Sequence, residues 1–304
     1  MPEWDPEIEV DSERARRLIG IQFLELADVP IRQIATGWDN VVHLVDERWV
    51  FRFPQRQIAV AGVQREIDVL GRLAPNLPLP IPVPRFVGVP TEDYPWPWFG
   101  AEYIAGAEIA DANLSDEART PVATAVGEFL AALHSPSLAS RVALSLPVDP
   151  MRRADMGVRV ERTRLRLAEL RAADTWEAPT SVERLLAEAA DLPPSPRTVV
   201  LHGDLHCRHL LVTTGGAAAG VIDWGDVCAG DPSIDLSIVF GTFAGKARAA
   251  LLEAYGPVDG LTELRARVIA VFLAAALLAY AVDRGMDALR IESLRSLARA
   301  VERV

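Results

Sequence analysis

Lysine is almost missing from this chain: Lys246 is the single example, so nearly all the positive charge comes from arginine. Any phosphate contact that proteins usually make through lysine must therefore come here from a guanidinium group. Cysteine is nearly as rare, with Cys207 and Cys228 as its two examples. Two cysteines are too few for a disulfide framework, so we expect a reducing, cytoplasmic environment.

Excess positive charge, a signal peptide and a long membrane-spanning run are also missing. The formal net charge is −11 and the pI is near 5, which argues against a nucleic-acid-binding surface and favours a neutral or cationic partner. The N-terminal residues contain charges and prolines but no apolar segment, so we expect no signal peptide. The apolar run 268–282 has about 15 residues where a spanning helix needs roughly 20, which predicts a buried helix and no membrane partner.

The order of predicted elements indicates a small β-sheet lobe followed by a larger helical lobe, an α+β architecture. Ser12 is expected to cap an opening helix, and short apolar strands with polar turns follow it. After Gly106 the pattern is mostly helical, interrupted by a loop-rich block over 198–235. The predicted strands are 31–35, 41–45, 49–53 and one within 98–106. The predicted helices are 59–73, 120–134, 158–171, 182–190 and 261–286. The expected domains are an N-lobe over 1–101, a linker over 102–106 and a C-lobe over 107–304.

The chemistry is concentrated in VVLHGDLHCRHLL (199–211) and GVIDW (220–224). Asp204 follows a short apolar strand, so we expect it on a loop that is open to substrate. Asp223 ends a second apolar strand, and His209 stands between the two acids. Phosphoryl transfer needs this set of groups: an acceptor for the hydroxyl proton and ligands for a charge-neutralising metal.

We expect Asp204 to accept the proton, and His209 and Asp223 to share one Mg²⁺. Histidine is an unusual ligand for Mg²⁺, which prefers hard oxygen donors, so His209 weakens metal retention or admits a softer divalent ion.

These segments, together with FRFP (51–54) and GDPSID (230–235), resemble the antibiotic kinases of the aminoglycoside phosphotransferase superfamily, which share the protein-kinase-like fold. Most members have asparagine where this chain has His209. Histidine at that position, with VLHGDLH and GVIDW, is similar to the macrolide 2′-phosphotransferase branch.

The resemblance implies a bilobal kinase with Asp204 as the catalytic residue and His209 and Asp223 as metal ligands. It places Arg52 where kinases have their phosphate-binding lysine, with Glu66 orienting it; a guanidinium can bind phosphate oxygens bidentately. GTP, or ATP, with Mg²⁺ is the implied cofactor, and GTP is the preferred donor. No GxxxxGK[ST] sequence occurs, which excludes a P-loop NTPase. The residues expected to bind the nucleotide are Gly37, Asn40, Arg52, Glu66, Glu102, Tyr103, Ile104, Leu211 and Ile222.

The acceptor is harder to predict from the residues. Aminoglycosides are polycations held by several carboxylates, whereas a macrolide is a large apolar ring that needs an apolar cleft. The C-terminal helices are rich in apolar side chains and favour the macrolide. Asp226 is a candidate partner for the dimethylammonium of the amino sugar, beside Asp204 at the reacting hydroxyl. The apolar candidates are Phe272, Leu273, Leu277 and Tyr280.

Other interpretations of the same residues remain open. Asp204 and Asp223 could be plain turn caps, and Arg52 and Glu66 plain surface charges. The HxDxHxxH pattern from His202 to His209 could form a zinc or two-metal hydrolase site. The chain could also be a nucleotide-binding pseudokinase, or an aminoglycoside kinase of the same fold. Asp231 is expected to cap a helix near Pro232, Asp235 to bond the catalytic loop, and His134 to be a satisfied core histidine.

Overall fold

The structure is a computed structural model that describes residues 6–37 and 40–302, so Trp38 and Asp39 lie outside the described residues. The chain divides into two compact units. The first, here called the sheet unit, consists of Met1–Pro75, Pro80–Ile104 and Asp223–Val227. The second, the helical unit, consists of Asn76–Leu79, Ala105–Ile222 and Cys228–Val304.

Five antiparallel strands form the sheet of the first unit, and helix α2 (Gln57–Leu73) follows the third of them. Four strands and α2 confirm the sequence predictions. The strand at 84–88 was not predicted, because the proline-rich segment 75–84 is typical of an extended connection. Pro84 is tolerated there because this strand lies at the sheet edge. The strands are β1 (Ile31–Thr36), β2 (Asn40–Val45), β3 (Trp49–Pro54), β4 (Pro84–Gly88) and β5 (Trp98–Glu102), and their order in the sheet is β1-β2-β3-β5-β4.

The alternation of strand side chains decides where Arg52 points. Phe51 and Phe53 are fully buried on one face of β3 and pack against Trp98, with the Phe53 and Trp98 rings stacked at 4.8 Å. Because successive side chains of a strand alternate between faces, Arg52 projects from the opposite face. The aromatic core therefore fixes the direction of the one cation on this strand.

Helix α1 spans Ser12–Gln22 and is capped by Asp11, whose carboxylate accepts a hydrogen bond from the Arg14 N–H at 2.8 Å. The prediction that Ser12 is the cap is wrong by one residue. Asp11 has the extended backbone of an N-cap, whereas Ser12 is already helical.

The helical unit contains eight helices among the described residues, and five of them match predicted segments. Helix α7 begins at Ser233, whose N–H donates to the Asp231 carboxylate at 2.8 Å, as expected for a cap beside Pro232. The remaining three were not predicted. The helices are α3 (Thr120–Leu133), α4 (Pro136–Val142), α5 (Met156–Ala172), α6 (Thr180–Ala189), α7 (Ser233–Thr242), α8 (Gly245–Tyr255), α9 (Gly260–Arg284) and α10 (Asp287–Val301), with short strands β6 (Ala107–Glu108), β7 (Val199–Leu201), β8 (Leu210–Val212), β9 (Ala218–Val221) and β10 (Cys228–Gly230).

Helix α9 has 25 residues, which confirms the helix predicted over 261–286, and it contains the apolar run 268–282. By length and composition this one helix of the described chain could cross a membrane. More than half of its most apolar window is buried, and Arg265 and Arg267 are buried on it as well. The helix continues past the apolar run because Asp259 caps its start and Gly285, in the left-handed region at φ 64°, ends it.

A buried ion network joins α10 to the residue before α3. Glu292 accepts from Arg119 at 2.6 and 2.8 Å and from Arg299 at 2.8 Å. All three residues are less than 5% exposed. Arg119 also donates to the Thr242 carbonyl oxygen at 2.8 Å, which ties the network to the end of α7. One carboxylate thus stabilises two buried guanidinium groups.

Candidate active site

Asp235 holds the main chain of the catalytic loop predicted around Asp204. The Asp235 carboxylate, fully buried on α7, accepts from the His202 N–H at 2.7 Å and from the Gly203 N–H at 2.9 Å. Gly203 has φ 89°, a conformation that side chains rarely adopt, so glycine is needed there. These bonds leave the Asp204 side chain on the loop, 31% exposed. The predicted contact of Asp235 with this loop is confirmed.

His134 contacts the Asp235 carboxylate, a role that the sequence did not indicate. Its Nε2 lies 3.3 Å from the Asp235 carboxylate and its Nδ1 lies 3.0 Å from the hydroxyl of Tyr255. Burial opposes ionisation of Asp235, but the hydrogen bond and charge of His134, the charge of His202 and the Gly203 N–H hold its pKa below the ordinary value. Asp235 therefore stays an acceptor for the two loop amides.

His202 is oriented by main-chain groups on both sides of its ring. Its Nε2 lies 3.0 Å from the Ile222 carbonyl oxygen, to which it donates, and its Nδ1 accepts from the Asp204 N–H at 3.2 Å. Both ring nitrogens are engaged by the backbone, so this histidine braces the loop. Its participation in a four-ligand HxDxHxxH site is not supported.

Asp204, His206 and His209 lie close together, with one ligand atom of each within 4.8 Å of the others. The Asp204 carboxylate is 3.5 Å from His206 Nε2 and 3.8 Å from His209 Nδ1. Burial opposes its ionisation, but the neighbouring His206, His209 and Arg153 outweigh that effect and lower the pKa of Asp204 to about 2. Asp204 is therefore a carboxylate at neutral pH, which a proton acceptor must be.

His209 meets the chemical requirement for a metal ligand. Its Nδ1 lies 2.7 Å from the Asp204 carbonyl oxygen, and because a carbonyl only accepts, Nδ1 carries the proton and Nε2 the lone pair. His206 Nδ1 instead accepts from the Arg208 N–H at 3.3 Å, so its Nε2 carries the proton that faces Asp204. Of the two imidazoles, His209 has the tautomer that binds a divalent cation.

The sheet unit contributes a second cluster, built on Arg52. Its Nη1 donates to Glu66 at 3.0 Å and its Nη2 to Asp223 at 2.6 Å. The amide oxygen of Asn40, assigned from the surrounding donors, accepts from Arg52 Nη2 at 2.9 Å. Asp223 has φ 64°, a left-handed conformation that costs energy for a residue other than glycine and is found most often at functional sites. The structure thus brings together Arg52, Glu66, Asn40 and Asp223.

Helix α2 packs directly on the segment that carries Asp223. Arg65 donates to the Gly225 carbonyl oxygen at 2.6 Å, and Glu66 Oε1 accepts from the Trp224 N–H at 3.1 Å. A side chain at Gly62 would place its first carbon 3.0 Å from that same Gly225 oxygen. Glycine at position 62 therefore permits the close approach that fixes this segment.

Glu66 is expected to make stability depend on pH. Burial raises its pKa to about 7 from 4.5, against the opposing charge of Arg52, and Asp223 raises it further. The pKa of Glu66 is higher in the folded protein than in the unfolded chain. The contribution of Glu66 to the free energy of unfolding is therefore complete below pH 4.5 and is lost as the pH rises through about 7. We expect the thermal stability of the wild type to fall over this interval relative to Glu66→Gln. Parallel curves of melting temperature against pH for the two proteins would contradict this prediction. Glu169→Gln, at an exposed position on α5, is the control.

The other residues predicted to bind nucleotide are placed as follows. The Gly37 N–H donates to the Asn40 carbonyl oxygen at 2.8 Å, which closes the turn between β1 and β2. The Tyr103 N–H donates to the Arg48 carbonyl oxygen at 2.8 Å, and the Tyr103 side chain is exposed. Leu211 is buried in β8 and the Ile222 N–H donates to the His209 carbonyl oxygen at 3.0 Å. Glu102 ends β5 and is exposed, Ile104 follows it partly buried, and Asp226 is partly buried in the sheet unit.

An ion pair that the sequence did not predict anchors the catalytic loop. Arg208 donates to both carboxylate oxygens of Glu108, at 3.0 and 3.1 Å, and lies 5.5 Å from the centre of the Tyr280 ring. Glu108 is on β6, a hundred positions earlier in the chain. No local signal predicts such a pair, because neither residue belongs to a motif with the other.

Comparison with known proteins shows the family. The model of the phosphotransferase enzyme family matches residues 30–268, which is most of the chain. Over 61 residues the chain is 36% identical to the uncharacterized protein YcbJ of Bacillus subtilis (strain 168), an alignment that spans 20% of either protein.

Two groups of solved antibiotic kinases share the fold. The GDP complex of wild-type aminoglycoside 2'-phosphotransferase-IIIa is similar at 20% identity and a TM-score of 0.71, with 96% of this chain and 99% of that chain covered. The apoenzyme of macrolide 2'-phosphotransferase MphH from Brachybacterium faecium is similar at 24% identity and a TM-score of 0.58, with 92% and 98% covered. The prediction of an α+β, protein-kinase-like fold is confirmed. The chain belongs to the phosphotransferase enzyme family.

Proposed function

We propose that the protein is a macrolide 2′-kinase that transfers the γ-phosphate of a nucleoside triphosphate, preferably GTP, to the 2′-hydroxyl of the amino sugar of the drug. The observation that carries this proposal is the ionised, partly exposed Asp204 carboxylate on a loop held by Asp235. Family membership makes phosphoryl transfer the reaction that such a carboxylate would serve. Macrolide resistance and a cytoplasmic location follow from the same proposal.

In the helical unit, Asp204 would accept the proton of the attacking hydroxyl, and the proton on His206 Nε2 keeps the carboxylate oriented. His209 Nε2 would be one ligand of a divalent cation. In the sheet unit, Asp223 would supply a hard oxygen ligand, and Arg52, oriented by Glu66, would bind phosphate oxygens in place of lysine. A bound Mg²⁺ supplies charge neutralisation at the phosphates.

A partly exposed apolar face of α9 supports the macrolide as the acceptor. Phe272, Leu273, Leu277 and Tyr280 lie within one side of the helix and are each only partly buried. Leu273 and Leu277 line a small cavity together with His206 of the catalytic loop. An apolar lactone ring is expected to bind such a surface better than a polycation does.

The nucleotide and the lobe boundaries belong to this proposal too. Gly37, Asn40, Glu102, Tyr103, Ile104, Leu211 and Ile222 would contact GTP, or ATP. Residues 102–106 would be the linker between an N-lobe over 1–101 and a C-lobe over 107–304. Asp226 would bind the dimethylammonium of the sugar, and unchanged macrolide KM and kcat in Asp226→Ala would show that it does not.

An aminoglycoside kinase is the second candidate, because the aminoglycoside 2'-phosphotransferase structure has the higher TM-score of the two compared above. The test is turnover of GTP and of ATP with Mg²⁺ against a panel of macrolides and aminoglycosides, with phosphorylated product read by mass. Macrolide product with GTP preferred is the expected result. Aminoglycoside product alone would overturn the acceptor while keeping the reaction, and nucleotide binding without any product would indicate an unrelated acceptor or a pseudokinase.

A further inference from the structure

Arg65 on α2 holds part of the candidate site, although it belongs to no motif in the sequence. Its Nη2 donates to the Gly225 carbonyl oxygen at 2.6 Å. Over residues 6–37 and 40–302 this is the one hydrogen bond of the Arg65 side chain, and its buried Nε has no partner there. The contact with Gly225 therefore decides where this guanidinium lies.

Gly225 in turn adjoins the ion pair of the sheet unit. A side chain at Gly225 would place its first carbon 3.7 Å from Arg52 Nη2 and 4.0 Å from Asp223 Oδ1. These are the two atoms that form the 2.6 Å hydrogen bond between Arg52 and Asp223. The main chain that Arg65 holds therefore lies directly beside the proposed metal ligand and its cation.

Two neighbouring residues of α2 hold two successive points of the chain after Asp223. Glu66 Oε1 accepts from the Trp224 N–H at 3.1 Å, and Arg65 donates to the Gly225 carbonyl oxygen. The left-handed conformation of Asp223, at φ 64°, costs energy and persists only where the surrounding structure fixes it. These two bonds supply that fixation from one helix.

We propose that Arg65 is a positioning residue for Asp223: by holding the Gly225 carbonyl oxygen, it sets the direction in which the Asp223 carboxylate faces a divalent cation. Groups that orient a metal ligand through hydrogen bonds change metal affinity about 10–100-fold without contacting the metal. The proposal rests on the proposed role of Asp223 as a metal ligand. It gives metal-dependent nucleotide binding a further arginine, one that contacts the main chain and not the phosphates.

The test measures how much Mg²⁺ strengthens the binding of GTP, with ATP titrated in parallel. Calorimetry on the full-length protein gives the dissociation constant once with excess Mg²⁺ and once with EDTA, and the ratio of the two is the metal-dependent gain. We expect Arg65→Gln to lower this gain about tenfold, while the affinity in EDTA stays at the wild-type level. A purely structural role would weaken both affinities together and overturn the proposal.

Two further variants test the contact itself. Arg65→Lys retains a donor for the carbonyl oxygen but places it on a flexible stem, so its gain should lie between those of the wild type and Arg65→Gln. Arg72→Gln makes the same chemical change at an exposed position of the same helix and should leave the gain unchanged.

A double-mutant cycle with Asp223→Asn shows whether Arg65 acts through Asp223. Asp223→Asn should itself lower the gain, and adding Arg65→Gln should lower it no further. Losses that add in full would overturn the proposal, because Arg65 would then act elsewhere. A full gain in Asp223→Asn would overturn the proposed metal role of Asp223 and this inference with it. Loss of the gain in Asp223→Asn but not in Arg65→Gln would overturn this inference alone.

Gly62→Ala disturbs the same carbonyl oxygen by an independent route. The added carbon would lie 3.0 Å from the Gly225 oxygen, so the segment must shift, whereas alanine favours the helix itself. We expect a lower metal-dependent gain in this variant also. If Arg65→Gln fails to fold, Arg65→Lys and Gly62→Ala provide the comparison, and a wild-type gain in both would overturn the proposal.

Discussion

Asp204→Asn is expected to lower kcat about a thousandfold, because the variant loses the group that accepts the hydroxyl proton. Nucleotide affinity and thermal stability should stay close to the wild-type values. The amide is nearly isosteric with the carboxylate, and the loop is held through the main chain of His202 and Gly203. Steady-state kinetics, nucleotide titration and a thermal melt measure the three quantities.

The matched control is Asp283→Asn, which makes the same chemical change at a side chain 69% exposed near the end of α9. It should leave kcat unchanged. If Asp204→Asn retained more than about a tenth of the wild-type kcat, Asp204 would not be the proton acceptor. A wild-type protein that binds nucleotide without turnover would instead identify a pseudokinase, and hydrolysis that requires His206 and zinc would identify a metal hydrolase.

Glu292→Ala is expected to cost about 3–5 kcal/mol in the free energy of unfolding, the second large effect predicted from this structure. The substitution removes the carboxylate that Arg119 contacts at 2.6 and 2.8 Å, whereas Arg299 keeps its ion pair with Asp116 at 2.6 Å. Removing one partner of a buried ion pair costs far more than the pair contributes as a whole, because a charge stays buried without compensation. Urea unfolding followed by circular dichroism measures the change.

Glu161→Gln provides the comparison at the surface. Glu161 is 68% exposed and pairs with Arg164 one helical turn away, at 3.0 Å. Exposed ion pairs of this kind contribute about 0.2–1 kcal/mol to the free energy of unfolding. The loss of the Glu161–Arg164 pair should therefore be difficult to detect. A cost below about 1 kcal/mol for Glu292→Ala would mean that water or main-chain groups compensate the two arginines.

The contacts that the sequence predicted correctly share one property: both residues of each contact lie in segments that the sequence motifs identify. The resemblance to kinases places a cation at Arg52 and the glutamate that orients it at Glu66, and the structure has the two side chains 3.0 Å apart. Asp235 was expected to bond the loop because it ends the segment GDPSID (230–235), which lies in the same loop-rich block as Asp204. His134 and Glu108 were missed as functional supports, because their partners lie 101 and 100 residues away and no periodicity links them.

The sequence by itself determined four strands of the sheet, helix α2, five helices of the helical unit and the identity of the acids, because periodicity and capping are local properties of the chain. It also determined that arginine must serve wherever lysine usually binds phosphate. Only the tertiary structure decided which histidine is suited to a metal. His202, His206 and His209 have the same side chain, and their tautomers depend on the acceptors around them, the carbonyl oxygens of Ile222 and Asp204 among them.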